Sequence, residues 1–449
     1  MSAASQPQPD LSRVSDLLRS GRLQPVRRLL HALQPGEIAH LLASLPPTER
    51  QLVWGLVEPE VSGEVLVELP DEISDALIEN METHELLAAA EAMDTDDLAD
   101  LFRKLPETVT AEVLRVMRDQ DRRRLESVLA YPEDTAGGLM NTDTVTVRAD
   151  VTVDVVLRYL RLRGTLPEHT DSLIVVNRYE RYLGLLPLAR LVTADPEHTV
   201  AEIMVREVRG IPADTPAAEV ASIFEQLDLV SAAVVDESGR LLGRITVDDV
   251  MDVLRDEAEH NLLSHAGLSE EDDVFSPVLA SSRRRAVWLG VNLLTALLAA
   301  WVIGRFQDTL QQVVALAVLM PVVASMGGIA GTQTLTLVIR GLALNQVNRH
   351  NTRWLLGKEL AVGLLNGLVW AAVVAFISIV WFHNLQIGAV IAVAMVVNLL
   401  CAALAGVAIP LVMRSLSIDP ALAGGVVLTT LTDVTGFVVF LGLATLVLR

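Results

Sequence analysis

Asp433 is the residue whose position carries the most chemistry in this 449-residue sequence. It is the one charged side chain between positions 420 and 448. A charge at the centre of a membrane-length apolar segment costs about 2.5–3.5 kcal/mol on insertion scales, so it faces a polar interior and marks an ion or proton path. Thr429, Thr430, Thr432 and Thr435 surround it with hydroxyls, and Gly424, Gly425 and Gly436 let a neighbouring helix come close. No Cys, His or Met stands beside it, and that donor set suits a hard cation. A second apolar stretch, residues 321–334, is interrupted by Pro321, Gly327, Gly328, Gly331 and Gln333. Such a stretch can unwind where it lines water, and the same small residues also serve plain helix packing. Asp433 is therefore the candidate metal ligand of this region. Gly327, Gly328, Gly331, Gln333, Thr429 and Thr432 are the candidates to line the path.

A separate set of carboxylates lies upstream. Asp248, Asp249, Asp252, Asp256, Glu257 and Glu259 crowd one stretch, and Asp249, Asp252 and Asp256 fall at i, i+3 and i+7. That spacing puts them on one helical face, where like charges repel and a bound divalent ion relieves the cost. A solvated acidic helix is the alternative reading. Enzymatic chemistry has no comparable support: no Ser/His/Asp set, Walker-type loop or His-Glu-x-x-His sequence is present, and the nine histidines are scattered. The single cysteine, Cys401, rules out an intrachain disulfide.

The elements that must hold these groups divide the chain in two. Residues 1–282 carry 25 basic and 52 acidic side chains, whereas residues 283–449 carry 10 basic and 4 acidic ones. A first half with a net charge of −27 repels phosphates, which excludes nucleic acid as a partner, and it calls for cations. The second half is a series of uncharged blocks, 286–304, 309–339, 360–413 and, but for Asp433, 420–448. The third block is broken by His383-Asn384-Leu385-Gln386 and reads as two. A helix needs about 20 apolar residues to cross the hydrocarbon core. Five spans are expected, at about 286–304, 312–339, 359–382, 388–413 and 421–448.

Orientation follows from the basic residues. Arg283, Arg284 and Arg285 precede the first span, Arg340, Arg349, Arg353 and Lys358 separate the second and third, and Arg414 separates the fourth and fifth. The positive-inside rule keeps the N-terminus in the cytoplasm and, with an odd number of spans, places Arg449 outside. Residues 1–10 are polar and Pro/Gln-rich, show no cleaved signal peptide and are expected to be disordered.

Residues 11–130 read as successive amphipathic helices, punctuated at Leu45-Pro46, Leu69-Pro70 and Leu105-Pro106. An internal duplication follows: residues 172–184 align without gaps to 231–243, at an offset of 59. Each copy is a short apolar strand, a polar turn, a second strand ending near a Leu-Gly pair, and a helix. Each is preceded by a helix opening near an Ala-Asp, at Ala149-Asp150 and Ala213-Asp214. The pattern resembles the CBS domain pair, a βαββα module that senses nucleotides or ions. Thr246 and Asp249 match the Thr-x-x-Asp that contacts ribose in nucleotide-binding members, while the first copy has Pro187 and Arg190 there. The resemblance implies at most one adenosine site, for ATP or another adenine nucleotide, with an empty structural pair as the alternative.

Taken in order, the helical N domain, CBS pair, connecting helix and five spans resemble the MgtE family of magnesium channels over nearly the whole chain. Segments 131–140, 292–298, 337–343, 419–423 and 429–433 carry the further match. The resemblance implies a multi-domain fold: an all-α superhelical N domain (11–130), an α/β CBS pair (131–202 and 203–256), a long connecting plug helix (257–282) and an all-α membrane domain (283–449). It implies a homodimer in the lipid bilayer of the bacterial cytoplasmic membrane, with Asp433 binding permeating Mg2+. It also implies regulatory Mg2+ sites between the N domain, the CBS pair and the plug, at Asp96, Asp100, Asp228, Asp249, Asp252 and Glu257 by position. Many members carry Asn where this chain has Ile329 and Thr332, and an acidic pair where it has His260-Asn261. The expected function is Mg2+ uptake down its electrochemical gradient, gated by cytosolic Mg2+. A membrane-anchored CBS sensor and a transporter of another divalent cation such as Co2+ are the competing readings.

Overall fold

The computed structural model describes residues 11–448, apart from positions 94, 106, 168, 269–273, 277, 344, 345, 349 and 417. Residues 1–10, expected to be disordered, lie outside the described residues, as do Pro106, Arg349 and Arg449. The chain forms two compact units, residues 1–259 with 270–276, and residues 260–269 with 277–449.

In the first unit, ten short helices fill residues 11–129. They are α1 (Leu11–Arg19), α2 (Leu23–Leu30), α3 (Pro35–Ala43), α4 (Pro47–Trp54), α5 (Pro59–Val67), α6 (Asp71–Ile78), α7 (Thr83–Ala92), α8 (Thr95–Lys104), α9 (Glu107–Val116) and α10 (Asp119–Leu129). Proline sets several of their starts. Pro35, Pro47 and Pro59 open α3, α4 and α5, where the first turn has no use for the missing N–H. The Leu-Pro pairs mark the same boundaries, since Pro46 and Pro70 cap α4 and α6. Glu37 also closes the start of α3 and Glu85 that of α7, by accepting the backbone N–H of Gln34 at 3.0 Å and Glu82 at 2.9 Å.

The duplication folds as two three-stranded sheets. The first repeat holds β1 (Thr146–Arg148), α11 (Val153–Arg163), β2 (Ser172–Val176), β3 (Tyr182–Pro187) and α12 (Leu188–Thr193). The second holds α13 (Val200–Ile203), β4 (Ile211–Pro212), α14 (Ala217–Leu227), β5 (Ser231–Val235), β6 (Leu241–Thr246) and α15 (Val247–His265). In each sheet the first two strands pair parallel and the last two antiparallel. The register shifts at equivalent places, between Val175 and Val176 and between Val234 and Val235. The tight turns correspond too: Gly239 has φ +78° and Glu180, its counterpart, has φ +60°. These turns bind each other, Tyr182 N donating to Gly239 O at 3.0 Å and Leu241 N to Glu180 O at 2.9 Å. The second repeat shares one apolar core with the N domain, including Leu41, Leu42, Leu125 and Ile245. The first repeat keeps its own around Val153, Leu173, Leu186 and Leu191.

The connecting helix differs from its expected bounds of 257–282. It begins at Val247 as a direct continuation of β6 and ends at His265. Gly267 is the reason: at φ +69° it adopts the left-handed conformation that closes a helix, and Leu268 N reaches back to Leu263 O at 3.0 Å. The chain also passes Trp288 closely there, because a Cβ on Gly267 would lie 2.0 Å from its Nε1. The next helix starts at Val278.

The second unit contains α16 (Val278–Gly304), the short α17 (Gln307–Gln312), α18 (Ala315–Ala343), α19 (Thr352–Phe382), α20 (Leu385–Ser415) and α21 (Pro420–Val447). Among the described residues, five helices are long and apolar enough to cross a membrane: α16, α18, α19, α20 and α21. The break at 383–386 is built as expected. His383 ends α19 at φ +52°, and Asn384 Oδ1 caps α20 by accepting from Gln386 N at 2.8 Å and Ile387 N at 3.3 Å. α20 is the most deeply buried span and packs against α18, α19 and α21. Small residues bring these backbones together: a Cβ on Gly363 would stand 2.9 Å from the Ala403 Cβ, and one on Gly406 would stand 2.7 Å from the Thr334 Cβ. The interruption at Pro321 does not unwind. α18 stays helical through it, since proline near the first turns of a helix displaces few ladder bonds.

Candidate ion pathway and acidic sites

Asp433 lies mid-way along α21, half-buried, and among the described residues its carboxylate has no hydrogen-bond or ion-pair partner. Helix spacing puts Gly425, Thr429 and Asp433 along one side. Thr429 is exposed and its Oγ1 donates to the Gly425 carbonyl at 3.0 Å, which leaves its oxygen lone pairs outward. The facing helix is α18, where a Cβ on Gly328 would lie 4.0 Å from Thr429 Cγ2. α18 exposes Ser325, Thr332, Gln333 and Thr336 within its span.

The other candidates have packing roles. Thr432 is fully buried and its hydroxyl bonds the Leu428 carbonyl at 3.1 Å and the Thr429 carbonyl at 3.0 Å, so it turns into the bundle. Gly331 receives Leu428, whose Cδ1 is 2.9 Å from where a Cβ would be, and Gly327 receives Asn398. Gly328, Gln333, Thr429 and Asp433 are thus on open faces, whereas Gly327, Gly331 and Thr432 join helices. Glu359 is the first residue of the expected third span, 359–382. It is buried inside α19, at 2.7 Å from Lys358 Nζ and 3.2 Å from Thr334 Oγ1. Its sequence signal was masked by the adjacent lysine.

In the first unit, Asp96 is buried on α8 and accepts Asn141 Nδ2 at 3.3 Å. Asn141 is held by paired backbone bonds to Arg244 of β6, at 2.8 and 2.9 Å, so Asp96 meets the edge of the second repeat. Asp100, one turn on, is bound by Arg103 Nη1 at 2.6 Å. Asp228 is an exposed left-handed residue ending α14, and Glu257 is exposed on α15. Thr246 and Asp249 form a helix-start box: Asp249 Oδ2 accepts Thr246 N at 2.8 Å and its Oγ1 at 3.1 Å, while that hydroxyl also contacts Asp248.

Burial pushes the Asp249 carboxyl up to about 7 against the pull of the Thr246 N–H, and Asp248 and Asp252 add to the rise. Asp252 is also raised, first by lost hydration, with Arg255 at 3.0 Å pulling it down and Glu68, Asp256 and Asp248 pushing it up. Glu68 ends α5 in the N domain, and its carboxylate lies beside Gly36. Glu68 and Asn141 were not found from sequence because nothing local ties them to Asp252 or Asp96. Among the described residues no three Asp, Glu, His or Cys side chains converge closely enough to hold a metal ion.

Three family models match the chain: the MgtE intracellular N domain over 33–134, the CBS domain over 136–197 and 200–256, and MgtE, a divalent cation transporter, over 320–443. The magnesium transporter MgtE of Bacillus subtilis is 30% identical over 433 residues, 96% of each chain. That of Thermus thermophilus is 33% identical over 441 residues, 97% of this chain and 98% of its own. The chain belongs to the MgtE family. Its members are transporters rather than enzymes, and with its five apolar helices this MgtE protein is an integral membrane protein. A crystal structure of the cytosolic domain of the Mg2+ channel MgtE in complex with ATP is similar at 32% identity and a TM-score of 0.50, covering 54% of this chain and 99% of that one.

Proposed function

We propose that this MgtE protein carries Mg2+ into the cytoplasm down its electrochemical gradient, through a path walled by α18 and α21 and centred on Asp433. The observation that carries the reading is a carboxylate half-way along a membrane-spanning helix with no partner among the described residues. Mg2+ gives up its waters reluctantly and suits one or two carboxylates with oxygen donors behind them. Two Asp433 side chains across a homodimer axis, with Thr429 nearby, supply that arrangement to a hydrated ion. A second copy also covers the exposed Ser325, Thr332, Gln333 and Thr336 of α18, which lipid solvates poorly. An inside-negative potential favours entry of a divalent ion by about 4.6 kcal/mol per 100 mV, twice the single-charge value. The basic residues at Arg283 to Arg285, Arg340, Arg353, Lys358 and Arg414 support a cytoplasmic N-terminus.

In this reading cytosolic Mg2+ closes the path. Glu68 already raises the cost of ionising Asp252, and Asp96, Asp100, Asp228, Asp249 and Glu257 add to the acidic surfaces that an ion would bridge. Ions bound there stabilise the closed arrangement only by the difference in their affinity for the two states. The CBS pair binds an adenine nucleotide at Thr246 and Asp249, by analogy with the ATP-bound relative. The function is tested by reconstituting the full chain in liposomes and comparing Mg2+ flux with Ca2+, Co2+ and Ni2+ flux. Mg2+ is expected to pass faster than the others. Equal or greater Co2+ flux replaces the Mg2+ assignment with a broader transporter, and no flux of any ion leaves the anchored sensor.

A further inference from the structure

Asn398 lies in the body of α20 and is 1% exposed. Its Nδ2 donates to the Val323 carbonyl of α18 at 2.9 Å, whereas its Oδ1 is buried with no hydrogen-bond partner among the described residues. The amide fills a slot between two glycines on different helices. A Cβ on Gly327 of α18 would stand 2.3 Å from Nδ2, and one on Gly436 of α21 would stand 2.9 Å from it. Three helices therefore meet on one polar side chain. Gly436 is about one turn from Asp433, and Gly327 adjoins Gly328, which faces Thr429.

An amide oxygen left unpaired inside a bundle is costly. An apolar side chain would carry no such cost, so close packing alone does not account for an asparagine here. What the amide adds is a bond to a particular carbonyl of α18. That carbonyl lies two residues past Pro321, in the stretch of α18 that also carries Gly327 and Gly328. The Asn398 bond thus ties α20 to α18 at a fixed register, and does so from the residue that also spaces α21.

We propose that Asn398 is a positioning residue for ion passage, fixing the rotation and spacing of α18 against the Asp433-bearing α21 and so setting which cation passes best. This rests on the reading of α18 and α21 as walls of the path. The test uses full-length Asn398→Leu and Asn398→Ala in liposomes, with thermal transitions of the purified proteins and Asp433→Ala in parallel. Ion concentrations are raised until Mg2+ and Co2+ fluxes are both measurable. Folded Asn398 variants are expected to lose about tenfold in Mg2+ flux and to shift the Mg2+ to Co2+ ratio. Gly327→Ala is expected to lower the thermal transition by clashing with Asn398. The Gly327→Ala/Asn398→Ala double variant is expected to recover the transition but not the ratio. An unchanged ratio in folded Asn398→Leu and Asn398→Ala overturns the proposal whether or not flux falls, and so does failure of both to fold. Wild-type flux in Asp433→Ala instead overturns the path assignment, which is a separate outcome.

Discussion

At the scale of single residues, the chain holds two carboxyls in unusual settings for opposite reasons. Asp433 has no partner among the described residues, whereas Asp249 is satisfied by Thr246 yet largely buried. An unfolded aspartate titrates at about 3.9, and folding pushes Asp249 up to about 7. The folded state therefore keeps a proton that the unfolded chain releases. The stability this gives is fully present below about pH 4 and is lost as pH rises through 7. Asp249→Asn removes that dependence while keeping an acceptor for Thr246. Between pH 5 and pH 8 in Mg2+-free buffer, the melting temperature of the variant is expected to fall less than that of the wild type. Equal slopes would show that Asp249 is ionised throughout. Tyr182 gives a simpler expectation. Its hydroxyl donates to the Val208 carbonyl at 2.9 Å and burial pushes it up to about 12. Tyr182→Phe should cost about 1 kcal/mol in denaturant unfolding. Asp433 was legible in sequence because one charge in an apolar run is a one-dimensional signal. Glu68, Asn141 and Glu359 were not, because their meaning depends on residues 25 to more than 100 positions away.

At the scale of elements, hydropathy and turn chemistry carried most of the fold. The five spans, the break at His383-Asn384 and the 59-residue repeat all follow from periodicity, a run of small polar residues or direct self-similarity. Two element boundaries escaped. The connecting helix ends at His265, just before the left-handed Gly267, and α18 absorbs Pro321 without unwinding. The joint between the N domain and the second repeat gives an element-scale prediction. A Cβ on Gly243 of β6 would stand 2.7 Å from the Asn141 carbonyl. Gly243→Ala should push Asn141 away from Asp96 and destabilise the protein by about 1–3 kcal/mol, the usual cost of overpacking. Unfolding midpoints in denaturant check it, and an unchanged midpoint would mean that the Asn141 segment yields freely.

At the scale of the whole molecule, an acidic first half with a net charge of −27 and an apolar second half that holds Asp433 become one device if the same ion acts on both. In the proposed gating, repulsion among the carboxylates favours separation of their surfaces when cytosolic Mg2+ is scarce, and bridging ions favour closure when it is abundant. Limited proteolysis of the full chain should then slow as Mg2+ rises from zero to tens of millimolar, and an unchanged digestion rate would remove the sensor role. Domain order was legible in sequence because each domain has its own pattern, whereas the geometry of the proposed dimer and of its proposed gate was not, since both depend on surfaces that a single chain leaves uncovered. The path itself is tested by Mg2+ flux into liposomes holding wild-type protein or Asp433→Ala at an inside-negative potential. Wild-type vesicles should fill and Asp433→Ala vesicles should not, with both proteins folded to the same thermal transition. Equal Mg2+ flux through the two would contradict the assignment of Asp433 to the path.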